Sequence, residues 1–170
     1  MSKYLSTKTY GTDRGLSCCF RQWRATHSHC STLHGYSIGI KLIFECSTLD
    51  DKNWCMDFGG LKEFKAWADS MFDHTMIIAK DDPYLLFFKD MADMGHGKET
   101  TRGDCSPYER GAICDLRIVD GTGCEMFAKM CYDKMSQLMS AAGLDSRKSA
   151  VKIKSVEVFE HAGNSAIYEA

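Results

Sequence analysis

The stretch His27-Ser28-His29-Cys30-Ser31-Thr32-Leu33-His34-Gly35-Tyr36 gathers three imidazoles and a thiol within eight positions. Zinc prefers imidazole and thiolate ligands, and a catalytic zinc takes three protein ligands while keeping one position open. Short Cys/His-rich tracts are a compositional sign of metal binding. Three histidines around a cysteine therefore suggest a zinc centre with a reactive thiol beside it. If the chain is extended there, His27 and His29 point to one face, because residues two apart on a strand do so. His34 shares its parity with Tyr36, Ile38, Ile40, Leu42 and Phe44, an apolar face with a polar mouth.

These residues need a scaffold, and composition bounds it. The chain has 170 residues, 44% hydrophobic and 26% charged, which suits one globular domain spanning 1–170. A formal net charge of −2 gives no broad electrostatic footprint for nucleic acid. No apolar run reaches the length of a membrane span. The opening Met1-Ser2-Lys3-Tyr4-Leu5-Ser6-Thr7-Lys8 lacks the apolar core of a secretory signal. Nine cysteines without Cys-x-x-Cys spacing then read mostly as reduced thiols of a cytoplasmic protein. Cys105 and Cys114 are the best candidates if any disulfide forms.

Alternation predicts strands over 17–29 and 35–46, joined by a short polar link as a hairpin. Asp57 opens a helix whose stripe is Leu61, Phe64, Trp67, Ala68 and Met71. Asp82-Pro83 starts a short helix over 84–91. Residues 94–113 are glycine-rich and polar and read as a surface insertion. Leu116 to Val119 is a short strand. Thr122-Gly123-Cys124-Glu125 has capping-box spacing before a helix that Gly143 ends. Strands follow at 150–160 and 165–168. The order ββααββ predicts an α+β domain, with helices on one side of a four-stranded antiparallel sheet. Open sheet edges favour pairing with other copies, so a homo-oligomer is expected.

Six segments, in order, resemble the 6-pyruvoyltetrahydropterin synthase and 6-carboxytetrahydropterin synthase family. Cys30-Ser31-Thr32-Leu33-His34-Gly35-Tyr36 resembles its Cys-x-x-x-His-Gly-His signature. Trp23-Arg24-Ala25-Thr26-His27 is similar to the segment carrying its first zinc ligand. Trp54-Cys55-Met56-Asp57-Phe58 with Leu61-Lys62, and Phe72-Asp73-His74, resemble two further motifs. Gly121-Thr122-Gly123-Cys124-Glu125 sits where the family has Pro-Thr-Ser-Glu. Glu160, eight residues before Tyr168, matches a pterin-anchoring glutamate.

The resemblance implies a tunnelling fold, in which subunits join their sheets into an oligomeric barrel, a hexamer among the forms, with active sites between them. It implies a zinc-dependent lyase acting on 7,8-dihydroneopterin triphosphate, with Cys30, Asp73 and His74 catalytic and Glu160 binding the pterin. The expected product is 6-carboxy-5,6,7,8-tetrahydropterin, a precursor of 7-deazaguanine and queuosine. The alternatives are the 6-pyruvoyl reaction and a non-catalytic pterin- or metal-binding module. Tyr36 replaces the second histidine of the signature, so the expected zinc set is His27, His29 and His34. A rival set is completed by Tyr36 or Cys30. Arg21, Arg24 and Lys62 are candidate partners of the triphosphate.

Overall fold

The computed structural model describes residues 3–94, 112–144 and 151–170. The chain begins with β1 (Tyr4–Tyr10), rich in the Tyr and Thr that favour strands, and a 3-10 turn follows. Next come β2 (Ser17–Phe20), β3 (His34–Ser37) and β4 (Gly39–Cys46). A 3-10 turn capped by Asp57 leads into α1 (Lys62–Phe72), followed by β5 (Thr75–Ala79) and α2 (Leu85–Asp93). After β6 (Leu116–Val119) come α3 (Cys124–Ala141), β7 (Lys152–His161) and β8 (Asn164–Glu169).

The α+β class and the four-stranded antiparallel sheet are present. That sheet runs β1-β4-β7-β8, with β4 at its centre. Ile40, Leu42, Phe44 and Cys46 of β4, with Ile153, Val156 and Val158 of β7, form its buried face. Against it pack Phe64, Ala68 and Phe72 of α1 and Phe127, Ala128, Cys131, Met135 and Met139 of α3. Phe127 meets Phe20 at 4.9 Å and Phe72 at 5.4 Å, both edge to face, and so joins three elements.

The order of elements is fuller than ββααββ, and three assignments change. The strand expected over 17–29 stops at Phe20, and the sheet's edge place is taken by β1. Residues 22–32 instead fold through successive turns, in which Ala25 donates to Gln22 O, Ser28 to Ala25 O and Thr32 to His29 O. The shared face of His27 and His29 therefore does not exist, because its premise was extended backbone. The hairpin does exist: β2 pairs antiparallel with β3, Phe20 opposite His34, across a long loop rather than a short link. These strands belong to a second, mixed sheet, β3-β2-β5-β6, in which β5 lies parallel to both neighbours. All five β5 residues are buried, so the strand shows no alternation to read.

Thr122 does not complete a capping box; its hydroxyl donates to Arg21 O at 2.6 Å, and Gly123, at φ 110°, precedes the helix. The eight described cysteines are free, while Cys105 and residues 95–111 of the expected insertion lie outside the described residues. No described helix is long and apolar enough to cross a membrane.

Gly39 faces the ring of Phe159 across the β4–β7 pair, and a Cβ there would overlap that ring. Gly39→Ala is expected to lower the unfolding free energy by about 1–3 kcal/mol, read from denaturant midpoints. Combined with Phe159→Ala, it should cost less than the sum of the two single changes, since the clash is then gone.

Candidate functional site

The loop between β2 and β3 carries most of the candidate chemistry, and an ion pair sets its start. Arg21 forks onto both Asp82 oxygens at 2.8 Å each, and its guanidinium lies over the rings of Tyr84 and Phe88. The Asp82 side chain is only 1% exposed. Burial alone would raise the Asp82 pKa. The Arg21 hydrogen bonds, the Tyr84 amide and the guanidinium charge outweigh it and hold the carboxyl below its usual range. Arg24 pairs with Asp81 at 2.7 Å and stacks on Trp23. Both arginines are thus engaged by carboxylates, whereas Lys62 is exposed without an ion-pair partner among the described residues.

Farther along the loop, Ser28 caps the 3-10 turn His29–Ser31 by accepting from the Cys30 amide. Cys30 O accepts from the Gln22 amide at 2.8 Å, which closes the loop on itself. Cys30 is half-buried, and His34 is half-buried on the first residue of β3. The His29 and His34 rings lie 5.8 Å apart, centre to centre. His34 Nδ1 sits 2.8 Å from Thr32 O, an acceptor, so Nδ1 carries the proton and Nε2 keeps a free lone pair. A ligating imidazole is set in this way, with its second nitrogen donating to a carbonyl. His27 is exposed on the preceding turn, and no group of three or more His, Cys, Asp or Glu suited to a metal occurs among the described residues.

Tyr36 stands where the ring of a third imidazole was looked for. It stacks on Phe20 at 3.9 Å and meets His34 at 4.5 Å. Burial, then the Glu160 charge, then the thiols of Cys30, Cys124 and Cys18 push its phenol up to about 12, so it stays a neutral donor. Glu160 reaches this place through an irregularity. The β7–β8 register holds to Phe159↔Ser165, then shifts to His161↔Asn164, and Glu160 is the extra residue. A bulge of this kind re-aims a side chain. Cys124, the buried first residue of α3, has its thiol pushed up to about 12 by burial and by the facing Glu160 and Glu125 carboxylates. Cys30, Cys124 and Glu160, from three other segments, thus all act on the Tyr36 phenol, and Glu160 also acts on the Cys124 thiol. Sequence reasoning singled out Tyr36 only as a rival zinc ligand and Cys124 only as part of a helix-start segment, and placed neither beside Glu160.

Asp73 and His74 lie elsewhere. His74 Nδ1 donates to Asp73 Oδ1 at 2.7 Å, which leaves Nε2 free toward solvent. His74 has φ 54°, an uncommon left-handed conformation, and its amide donates to Ser17 O at 2.6 Å. Ser17 is the first residue of β2, whereas Cys30 is tied beyond the last one. The length of β2, about 10 Å, therefore separates His74 from the loop of Cys30.

Three comparisons bear on this arrangement. A family model described as 6-pyruvoyl tetrahydropterin synthase matches residues 12–170. A 6-carboxy-5,6,7,8-tetrahydropterin synthase of Aquifex aeolicus is 26% identical over 140 residues, 82% of this chain and 75% of that one. An uncharacterized protein of Wolinella succinogenes superposes with a TM-score of 0.72 at 21% identity, over 99% of both chains. The 6-pyruvoyl tetrahydropterin synthase of Plasmodium falciparum does so at 0.64 and 16%, over 100% of this chain and 99% of that one. The fold is thus the tunnelling fold.

The depressed pKa of Asp82 fixes the sign of an acid effect. The pair adds stability above the unfolded carboxyl pKa, near about pH 4, and loses it as pH falls through the lower folded value. Asp82→Asn should cost about 3 kcal/mol at neutral pH by stranding Arg21. It should also flatten the acid limb of a stability–pH curve measured by urea unfolding.

Proposed function

The chain belongs to the 6-pyruvoyl tetrahydropterin synthase family, and from that membership we propose a zinc-dependent lyase converting 7,8-dihydroneopterin triphosphate to 6-carboxy-5,6,7,8-tetrahydropterin. The product would serve 7-deazaguanine and queuosine synthesis. The working unit would be one domain, 1–170, assembled as a homo-oligomer in the cytoplasm, where free thiols persist. The observation that supports this reading is the bulge at Glu160, whose carboxylate acts on both Tyr36 and Cys124.

The roles follow from the groups present. Glu160 offers two acceptor oxygens to the adjacent N–H groups of a pterin's pyrimidine ring, a bidentate fit. Tyr36 and Phe20 supply stacked rings. Cys30 takes the proton from the carbon of the substrate side chain. His29 and His34 would hold zinc, with His27 on the preceding turn as the third ligand. Zinc, when bound, polarises the side-chain oxygens as a Lewis acid. His74, its tautomer held by Asp73, gives or relays a proton from Nε2. Because the length of β2 keeps this pair from Cys30 of the same chain, a neighbouring subunit supplies it. The lone pair of imidazoles favours one alternative, a pterin-binding module without turnover.

A product assay tests the reading. Incubation with dihydroneopterin triphosphate should release acetaldehyde and 6-carboxytetrahydropterin, with one zinc per chain lost in His29→Ala. Triphosphate release without acetaldehyde would indicate the 6-pyruvoyl reaction, and binding without turnover the module. Full zinc and activity in His29→Ala would remove the ligand set.

Subunit mixing tests the shared site. Cys30→Ala and His74→Ala should each be inactive alone. Refolded together in equal amounts, they should regain roughly a quarter of the wild-type sites, because only sites with both intact residues work. No recovery would place the whole site within one chain.

A further inference from the structure

Away from this site, two thiols meet at the far end of β4. Cys46 ends that strand and is 2% exposed. Its direct partner across the β1–β4 pair is Tyr4. The Cys55 thiol donates to Tyr4 O at 3.8 Å, so its sulfur sits on the residue opposite Cys46. Both cysteines thus converge on Tyr4, one as its strand partner and the other through its carbonyl. The connecting turn holds Cys55 there: one Asp50 oxygen accepts from both the Lys52 and Trp54 amides at 2.8 Å. The thiols also act on each other. Burial first, then hydrogen-bonding contact with Cys55, pushes the Cys46 thiol up to about 11.

Cys55 is the accessible member. It is half-buried and lines two adjoining recesses of about 770 and 460 Å³. Among the described residues that line the larger one, Asp50, Asp51 and Asp57 stand against one cation, Lys52. An excess of carboxylates draws in a cationic ligand and repels an anionic one.

We propose that Cys46 and Cys55 form a thiol–disulfide exchange site that reacts with small cationic disulfides of the cystamine type. The Cys55 sulfur, as thiolate, attacks one sulfur of the small disulfide. That S–S bond breaks, and the departing aminothiol takes up a proton. The Cys46 sulfur, having given its proton to water, attacks Cys55 in the mixed disulfide. A Cys46–Cys55 bond forms and the second aminothiol leaves. Two protein thiols are oxidised and one small disulfide is reduced to two thiols. The closed bond ties the end of β4 to the turn before Asp57, and it is independent of the proposed pterin chemistry.

Trypsin cleavage after Lys41, Lys52 and Lys62 puts the two cysteines in separate peptides, 42–52 and 53–62. The reduced full chain is treated with cystamine or with glutathione disulfide, alkylated, digested and mapped by mass. Cystamine should yield the two peptides joined, at least tenfold faster than glutathione disulfide does. In Cys46→Ser the adduct should stop on Cys55, and in Cys55→Ser Cys46 should stay unreacted. Circular dichroism checks that both variants are folded. A lasting cystamine adduct on wild-type Cys55, a bond from Cys55 to any other cysteine, or equal rates with both disulfides would overturn the proposal.

Discussion

Arg21 and Asp82 meet where β2 stops, and that pair governs the geometry of everything the following loop carries. A carboxylate 1% exposed is tolerable only with a matched partner, and Arg21 supplies a bidentate one. The Arg21 carbonyl is engaged too, by the Thr122 hydroxyl just before α3. One residue is thus bound through its side chain to the start of α2 and through its backbone to the start of α3. The chain cannot continue as a strand from there without abandoning both. It turns instead, and the turns bring Cys30 back onto Gln22 and set His29 near His34. Arg21 is consequently structural, which removes it as a ligand for phosphate.

The two ends of β2 carry different chemistry. Beyond one end is Cys30; at the other is the Asp73–His74 pair on the Ser17 carbonyl, and Tyr36 is paired with Cys18 between them. The strand between them is clamped by Phe20 against Tyr36 and Phe127, with no slack to bring the ends together. The left-handed backbone of His74 argues that its orientation is imposed rather than incidental. An imidazole held in this way, with 64% of its side chain exposed, presents Nε2 to solvent.

Much of this was legible in the residues, for uneven reasons. The central strands β4 and β7 and the helices α1 and α3 announce themselves through clean periodicity. The strand β5 does not, because burial on both faces erases alternation, as Met76-Ile77-Ile78-Ala79 shows. The error over 21–29 has the opposite cause. Trp23, Ala25, His27 and His29 keep one parity by accident, and the long-range contact from Arg21 to Asp82 overrides it. The site was legible as residue types and not as a constellation. Cys30, His34 and Glu160 stand out by chemistry, but nothing local shows that Cys124, read only as part of a helix start, faces Glu160.

That last encounter explains why the bulge is needed. Val156, Val158 and Glu160 share a parity, and the first two are fully buried in the core. Continued regularly, β7 would aim a carboxylate along the same apolar face, where an unpaired charge is costly. Shifting the register at Glu160 carries it out at the rim, half-buried, against the first turn of α3. The N-terminus of an 18-residue helix presents unpaired amides and positive dipole charge, which favour an anion there. Glu160 thus meets the helix start through Cys124, and no cation among the described residues pairs with it. Its carboxylate remains an acceptor, and an acceptor kept available beside the Tyr36 phenol is what a ligand rich in N–H groups requires.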